Sequence, residues 1–163
     1  MIIRKAILSD VSALLDIYNY EVIHGVATLD LQPKSLEDWT EWFYAHNIEN
    51  HPLYVAVIDN NIAGYASFSA YRAKEAYRST VELSVYIAAD YRGKGIATEL
   101  LKKLLSEAHQ DNSIHNIVSV ITSGNEASKT LHNKFGFTYC GTIPEVGMKF
   151  GRHLNIDNYS LIV

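Results

Sequence analysis

The sequence predicts a single mixed α/β domain, and three observations carry that reading. Short β-type runs alternate with helical apolar stripes along the whole chain. One of those strands, Thr80 to Ile87, passes through a loop with two glycines straight into a strongly amphipathic helix. No repeat, linker or low-complexity stretch divides the 163 residues, a length that suits one domain with a sizeable core.

Taken in order, Ile2 to Ala6 reads as a first strand. Asp10 or Ser9 can cap a helix whose apolar positions Val11, Leu14, Leu15, Tyr18 and Val22 keep the helical period. The stretch His24 to Pro33 breaks that period and reads as a loop. Ser35 with Asp38 forms an N-cap signature for a second helix through Trp39, Trp42 and Phe43, whose tryptophans read as packing residues. Pro52 precedes the strand Leu53 to Ile58, and Asp59-Asn60-Asn61 turns it into a second strand, Ile62 to Ser69.

A polar loop, Tyr71 to Arg78, follows. In the next strand Val81, Leu83, Val85 and Ile87 share one face, while Glu82, Ser84 and Tyr86 share the other. Beyond the glycines, Ile96, Leu100, Leu101, Leu104, Leu105 and Ala108 form one stripe of a long helix. Asn116 to Thr122 is apolar with little alternation, as in a strand buried on both faces. Ser123 with Glu126, or Asn125 alone, can cap a last helix that stops at Gly136. Two further strands, near Phe137 to Cys140 and Asn158 to Val163, flank a glycine-containing loop, and Cys140 reads as a core residue.

Composition narrows the function classes. A net charge of −4 argues against a general nucleic-acid binder, which needs a basic surface. The single cysteine forms no intrachain disulfide, the N-terminus lacks the apolar core of a signal peptide, and no apolar run is long enough to span a membrane. These features describe a cytoplasmic protein. The seven histidines show no metal-binding spacing, so no metal is expected.

The glycine loop is built to hold a phosphate. Glycines between a strand end and a helix start let backbone N–H groups approach an anion, and the helix N-terminus adds partial positive charge. A Walker A loop requires four residues between its first glycine and Gly-Lys-Ser/Thr, which the chain does not have. A dinucleotide fingerprint requires a third glycine where Gly93-Lys94-Gly95-Ile96-Ala97-Thr98 has Thr98, and an early βαβ unit. The remaining pattern, Arg/Gln-x-x-Gly-x-Gly/Ala, is met by Arg92-Gly93-Lys94-Gly95-Ile96-Ala97.

That pattern resembles the acyl-CoA motif of the GNAT superfamily of N-acetyltransferases. The segment Asn125 to Phe137, with its leading Asn and terminal Gly-Phe, resembles the family's second CoA-contacting element. Ile17-Tyr18-Asn19, Tyr77-Arg78, the strand Thr80 to Ile87, the pair Leu131-His132 and the segment Val146 to Arg152 resemble the phosphinothricin and methionine sulfoximine branch. The resemblance implies a mostly antiparallel twisted sheet with splayed parallel central strands, flanked by helices. It implies transfer of acetyl from acetyl-CoA to the α-amino group of a small, acidic, methionine- or glutamate-like amino acid, and a homodimer. A GNAT enzyme acting on a polyamine, an aminoglycoside or a protein N-terminus is the alternative within the class. A non-catalytic acyl-CoA sensor is the alternative outside it.

On this resemblance, cofactor contacts are expected from Val85, Tyr86 and Ile87, from Arg92, Gly93, Lys94, Gly95, Ile96, Ala97 and Thr98, and from Asn125, Ser128 and Asn133. Arg92 and Lys94 either add charge or face solvent. The acceptor must be a neutral amine. A chain-terminal α-amino group is about one-tenth neutral at pH 7, and a lysine-like amine only about 0.04%. An amino-acid amine lies between these limits, so a base helps. Glu82, on the polar face of the central strand, is the candidate base, acting directly or through a water. His132 stands near where many GNAT members carry a tyrosine; it can protonate the thiolate, assist deprotonation or orient a neighbour. Arg72 is favoured over Lys74 as the clamp for a substrate anion, because guanidinium binds carboxylate bidentately. Ser84, Thr28 and Leu29 complete the expected substrate wall.

Overall fold

A computed structural model describes all 163 residues. Seven strands form one sheet: β1 (Ile2–Lys5), β2 (Leu53–Ile58), β3 (Asn61–Ala70), β4 (Thr80–Ile87), β5 (Asn116–Thr122), β6 (Thr138–Lys149) and β7 (Arg152–Ile162). Four helices accompany them: α1 (Val11–His24), α2 (Leu36–Tyr44), α3 (Ile96–Ala108) and α4 (Glu126–Lys134). The sheet order is β1-β2-β3-β4-β5-β7-β6, with β4–β5 its parallel pair and every other pairing antiparallel. No helix is long and apolar enough to cross a membrane.

The two sheet faces are covered by different helices. On one, Leu100, Leu101, Leu104 and Leu105 of α3 pack with Phe68, Val81, Leu83 and Ile117, all buried. On the other, Leu14 and Ile17 of α1 and Trp39 of α2 pack on Leu53, Val55 and Tyr65. The alternation along β4 divides it between these layers: Val81 and Leu83 belong to the α3 side, and Tyr86 packs against the α1–α2 side.

Local signals place most element ends. Ser35 and Asp38 form a reciprocal capping box: Asp38 N–H donates to Ser35 Oγ and Ser35 N–H to Asp38 Oδ2, each at 3.1 Å. Asn125 caps α4 alone, accepting from Ser128 N–H at 3.2 Å, and Gly136 follows the helix at φ 80°. Asp10 behaves differently from a simple cap. Its carboxylate accepts from Ile7 N–H at 2.9 Å and pairs with Arg4, stabilising a short 3₁₀ turn, Leu8–Asp10, ahead of α1.

The C-terminal end of the chain departs from the sequence expectation. In place of two short strands around a loop stands a long hairpin, β6–β7, turning at Phe150 and Gly151, both with positive φ. Gly141, Pro144, Glu145 and Gly147 interrupt the strand pattern in sequence. The ladder absorbs them as register shifts between Tyr139 and Gly141 and between Ile143 and Gly147, which an edge strand tolerates. Cys140 is therefore exposed on the edge strand and is not a core residue.

Candidate active site

The central feature is a fork in the sheet. The β3–β4 ladder runs the full length from Ala70↔Val81 to Gly64↔Ile87. The β4–β5 ladder stops after Glu82↔Val118, whereas β5 stays with β7 as far as Thr122↔Ile156. Each arm keeps its outer neighbour: Ala88 N–H donates to Ala63 O at 2.9 Å, and Ser123 N–H to Asn155 O at 2.9 Å. Gly64 lets β3 and β4 approach closely, since a Cβ there would come within 2.7 Å of Tyr86 O. Beyond Glu82 the inner edge of β4 has no strand partner, and a cleft of about 1100 Å³ opens between the arms. Val85, Tyr86 and Ile87 line one wall, with Val120, Ile121 and Thr122 opposite.

The glycine loop closes one end. Gly95 caps α3 at φ 78° and Gly93 lies at φ 73°, conformations that cost an L side chain about 1–2 kcal/mol. The Gly95 carbonyl takes the Glu99 N–H at 3.3 Å. Ile96, Ala97 and Thr98 occupy the first turn, whose N–H groups have no intrahelical acceptor, and all three line the cleft. Arg92 lines it as well, with its Nε donating to Ile87 O at 3.2 Å and its guanidinium paired to Glu21. Lys94 does not line the cleft. Its ammonium donates to Asp90 O at 2.8 Å and lies 5.2 Å from the Tyr91 ring, so it braces the loop from outside.

On the α4 side, Asn125 and Ser128 line the cleft, with the Asn125 amide oxygen engaged in capping. Asn133 is exposed on the outer face of α4 and is not among the lining residues, because it falls one position beyond the inward-facing His132. His132 is 1% exposed. Its Nδ1 lies 2.7 Å from the Ser128 carbonyl, which only accepts, so the ring proton sits on Nδ1 and Nε2 presents a lone pair. Burial lowers the imidazole pKa. The ring is therefore a neutral acceptor at neutral pH.

Glu82 stands where the fork begins and lines the cleft. Its carboxyl pKa is raised by burial. Ser84 and Tyr86 share its face, and Ser69 of β3 lies directly opposite it in register. The far wall is the segment after α1. Tyr18 OH donates to Asp30 Oδ2 at 2.7 Å and accepts from Thr28 Oγ1 at 2.8 Å, fixing Thr28 in the wall. Lys149, reaching from the end of β6, donates to Thr28 O at 2.9 Å. Leu29 packs over Gly147, where a Cβ would come within 2.7 Å of its side chain.

Arg72 and Lys74 are not brought to this cleft. They line a separate cavity of about 210 Å³ with Glu49 and His51. The Arg72 guanidinium stacks 5.0 Å from the Tyr71 ring centroid and 5.6 Å from that of Tyr77, and no carboxylate pairs with it. Conversely, Trp39, Trp42, Tyr65, Ser67 and Ser69 line the cleft without having been singled out as site residues. The signal available for the serines was their position: two hydroxyls at alternate places in an otherwise apolar strand, on the same face as Tyr65.

A forked parallel pair beside a glycine-capped helix defines a class, and the chain belongs to it: residues 16–137 match the acetyltransferase (GNAT) family. Among individual relatives, the L-amino acid N-acyltransferase MnaT of Escherichia coli K12 is 38% identical over 156 residues, 96% of this chain and 90% of the relative. An L-methionine sulfoximine/L-methionine sulfone acetyltransferase of Salmonella typhimurium is 36% identical, covering 96% and 91% of the two chains. The crystal structure of a GNAT phosphinothricin acetyltransferase from Sinorhizobium meliloti in complex with acetyl-CoA is 30% identical. It superposes with a TM-score of 0.92 over 99% of this chain and 88% of that one.

Proposed function

We propose that this chain is an acetyl-CoA-dependent N-acetyltransferase, working in the cytoplasm on the α-amino group of a small L-amino acid or analogue. Methionine sulfoximine, methionine sulfone and phosphinothricin are the acceptors favoured by the relatives. The observation that carries the reading is the position of Glu82, a half-buried carboxyl at the apex of an open strand fork whose other end is a glycine-capped helix.

The cleft fits acetyl-CoA. The first-turn N–H groups of Ile96, Ala97 and Thr98 suit a pyrophosphate, and the unpaired inner edge of β4 suits the amides of an extended pantetheine arm. Acetyl-CoA supplies an activated acyl carbon with a thiolate leaving group. The chain's residues prepare the amine. Glu82, its basicity raised by removal from water, takes the ammonium proton directly or through a water. His132 offers only its Nε2 lone pair and so serves as a hydrogen-bond acceptor at the cleft.

Arg72 is the proposed clamp for a substrate carboxylate or phosphinate. Stacking of an exposed cation on aromatic rings is worth about 0.5–1 kcal/mol, whereas hydrogen bonds to a charged group contribute about 1.5–3 kcal/mol, so an anion can draw the exposed Arg72 guanidinium off Tyr71 and Tyr77. We also propose a homodimer through β6. The outer edge of β6 has no strand partner, and Tyr139, Ile143, Val146 and Met148 along it, with Phe150 in the turn beyond, are exposed apolar groups that a second copy pairing at this edge would help to cover. Sedimentation at micromolar concentration should give a dimer; a monomer contradicts this part.

The functional reading is tested by CoA release with L-methionine sulfoximine, phosphinothricin, spermidine and a peptide. Turnover of the amino-acid analogues is expected. Turnover of spermidine or the peptide alone would overturn the substrate assignment.

A further inference from the structure

His46 lies just beyond α2, 5% exposed, against the polar column of β3. Its two ring nitrogens are both engaged. Nδ1 is 2.7 Å from the Trp42 carbonyl, and Nε2 is 3.0 Å from Ser69 Oγ. A carbonyl only accepts, so Nδ1 carries the proton and Nε2 is left with a lone pair. The Ser69 hydroxyl must then donate to Nε2. Burial lowers the His46 pKa, which keeps the ring neutral and this arrangement fixed at neutral pH.

The consequence falls on the cleft. A serine hydroxyl has one proton and two lone pairs, and the proton of Ser69 is committed away from the cavity. Ser69 therefore presents only lone pairs to the space it shares with Glu82, the residue opposite it across the β3–β4 ladder. A carboxylate beside a hydroxyl that cannot donate puts two acceptors side by side. The chemical group that complements them is a primary ammonium, with three N–H donors and no acceptor.

We propose that Ser69, fixed as an acceptor by His46, binds the α-ammonium of the amino-acid substrate beside Glu82, with His46 as a positioning residue acting through Ser69. The inference rests on the N-acetyltransferase reading above and adds residues to it. One N–H goes to Ser69 Oγ and another faces Glu82. When Glu82 takes its proton, two N–H bonds remain, and the one on Ser69 keeps the neutral amine at the corner with its new lone pair free for the acyl carbon. Without His46 the Ser69 proton is free to turn onto the Glu82 carboxylate, which blocks the corner and weakens the base.

Steady-state kinetics of the full chain with acetyl-CoA and L-methionine sulfoximine test this. Ser69→Ala should raise the acceptor KM about tenfold, while the acetyl-CoA Kd, measured by calorimetry, changes by less than about twofold. Ser69→Thr keeps the hydroxyl and should stay within about threefold of the parent. His46→Phe should lose about as much as Ser69→Ala. His46→Gln, whose amide oxygen can accept from Ser69, should recover most of that loss. In the Ser69→Ala background, His46→Phe should add less than about twofold, because its effect runs through the missing hydroxyl. An unchanged acceptor KM in Ser69→Ala overturns the inference. So does a His46→Phe loss that persists in full without the hydroxyl. If His46→Phe fails to bind acetyl-CoA, the Ser69 variants and His46→Gln decide alone. A parent chain that acetylates no amino acid overturns the functional reading together with this inference, whereas a parent that does so beside an unaffected Ser69→Ala overturns the inference only.

Discussion

The two ends of the cleft recognise their ligands by different means. At the α3 end, the groups presented are mainly backbone: the first-turn N–H groups of Ile96, Ala97 and Thr98, and the unpaired inner edge of β4. At the β3 end they are side chains, Glu82, Ser69, Ser84 and Thr28, with Ser69 fixed by His46 and Thr28 by Tyr18. Backbone recognition suits an invariant cofactor, because it depends on chain geometry and tolerates change in side chains. Side-chain recognition suits an acceptor whose identity differs among relatives. Substitutions at the two ends should therefore separate cleanly into cofactor and acceptor effects.

The largest expected effect is at the apex between them. Glu82→Gln should lower kcat by about 10²–10⁴-fold with acetyl-CoA affinity unchanged. In the parent, kcat/KM should fall on acidification with a midpoint above the ordinary carboxylate range, because burial raises the Glu82 pKa. An acid limb that survives in Glu82→Gln would assign it to another group. At the α3 end, Gly95→Ala should weaken acetyl-CoA binding about tenfold and leave the acceptor KM alone, since the change strains a positive-φ cap without filling the cleft. For the proposed clamp, which rests in a separate cavity, Arg72→Ala should raise the acceptor KM about tenfold with little change in kcat; an unaffected KM would remove Arg72 from substrate binding.

The smallest effect is on stability and has the opposite sign to the loss of activity. A carboxyl whose folded pKa is raised binds its proton more tightly in the folded state than in the unfolded one. Glu82 therefore destabilises the protein once pH rises past its unfolded pKa, and the penalty is complete above its folded pKa. Glu82→Gln should raise Tm at neutral pH, and the difference should shrink on acidification. A lower Tm in this variant would show that the carboxylate is stabilised by contacts within the fold.

The same contrast explains what was legible in the sequence. The α3 end was readable because its determinants are local. Arg92 to Ala97 carries the glycines, the stripe from Ile96 to Ala108 carries the helix, and alternation in Thr80 to Ile87 puts Glu82 on the polar face. Asn125 and Gly136 bounded α4 for the same reason. Departures from the expected placements fall where a neighbour decides. Lys94 and Asn133 lie within the motif stretches, yet a turn around Asp90 and one step of helical rotation point them outward. Arg72 has a charge suited to the substrate, but Tyr71 and Tyr77 hold it in another cavity. Cys140 looked apolar and internal until β6 proved to be the sheet edge. His46 and Ser69 are 23 residues apart and meet only when α2 docks on β3, so no local pattern announces the pair.

The central claim is that the cleft delivers acetyl to the α-nitrogen of an amino acid through Glu82. The most direct test offers the chain acetyl-CoA with an equimolar mixture of L-methionine sulfoximine, spermidine and a peptide, then identifies the acetylated product and its modified nitrogen by mass spectrometry. The predicted result is α-N-acetyl methionine sulfoximine as the main product of the parent, absent with Glu82→Gln. Acetylated spermidine or peptide as the main product, or an undiminished yield from Glu82→Gln, would contradict it.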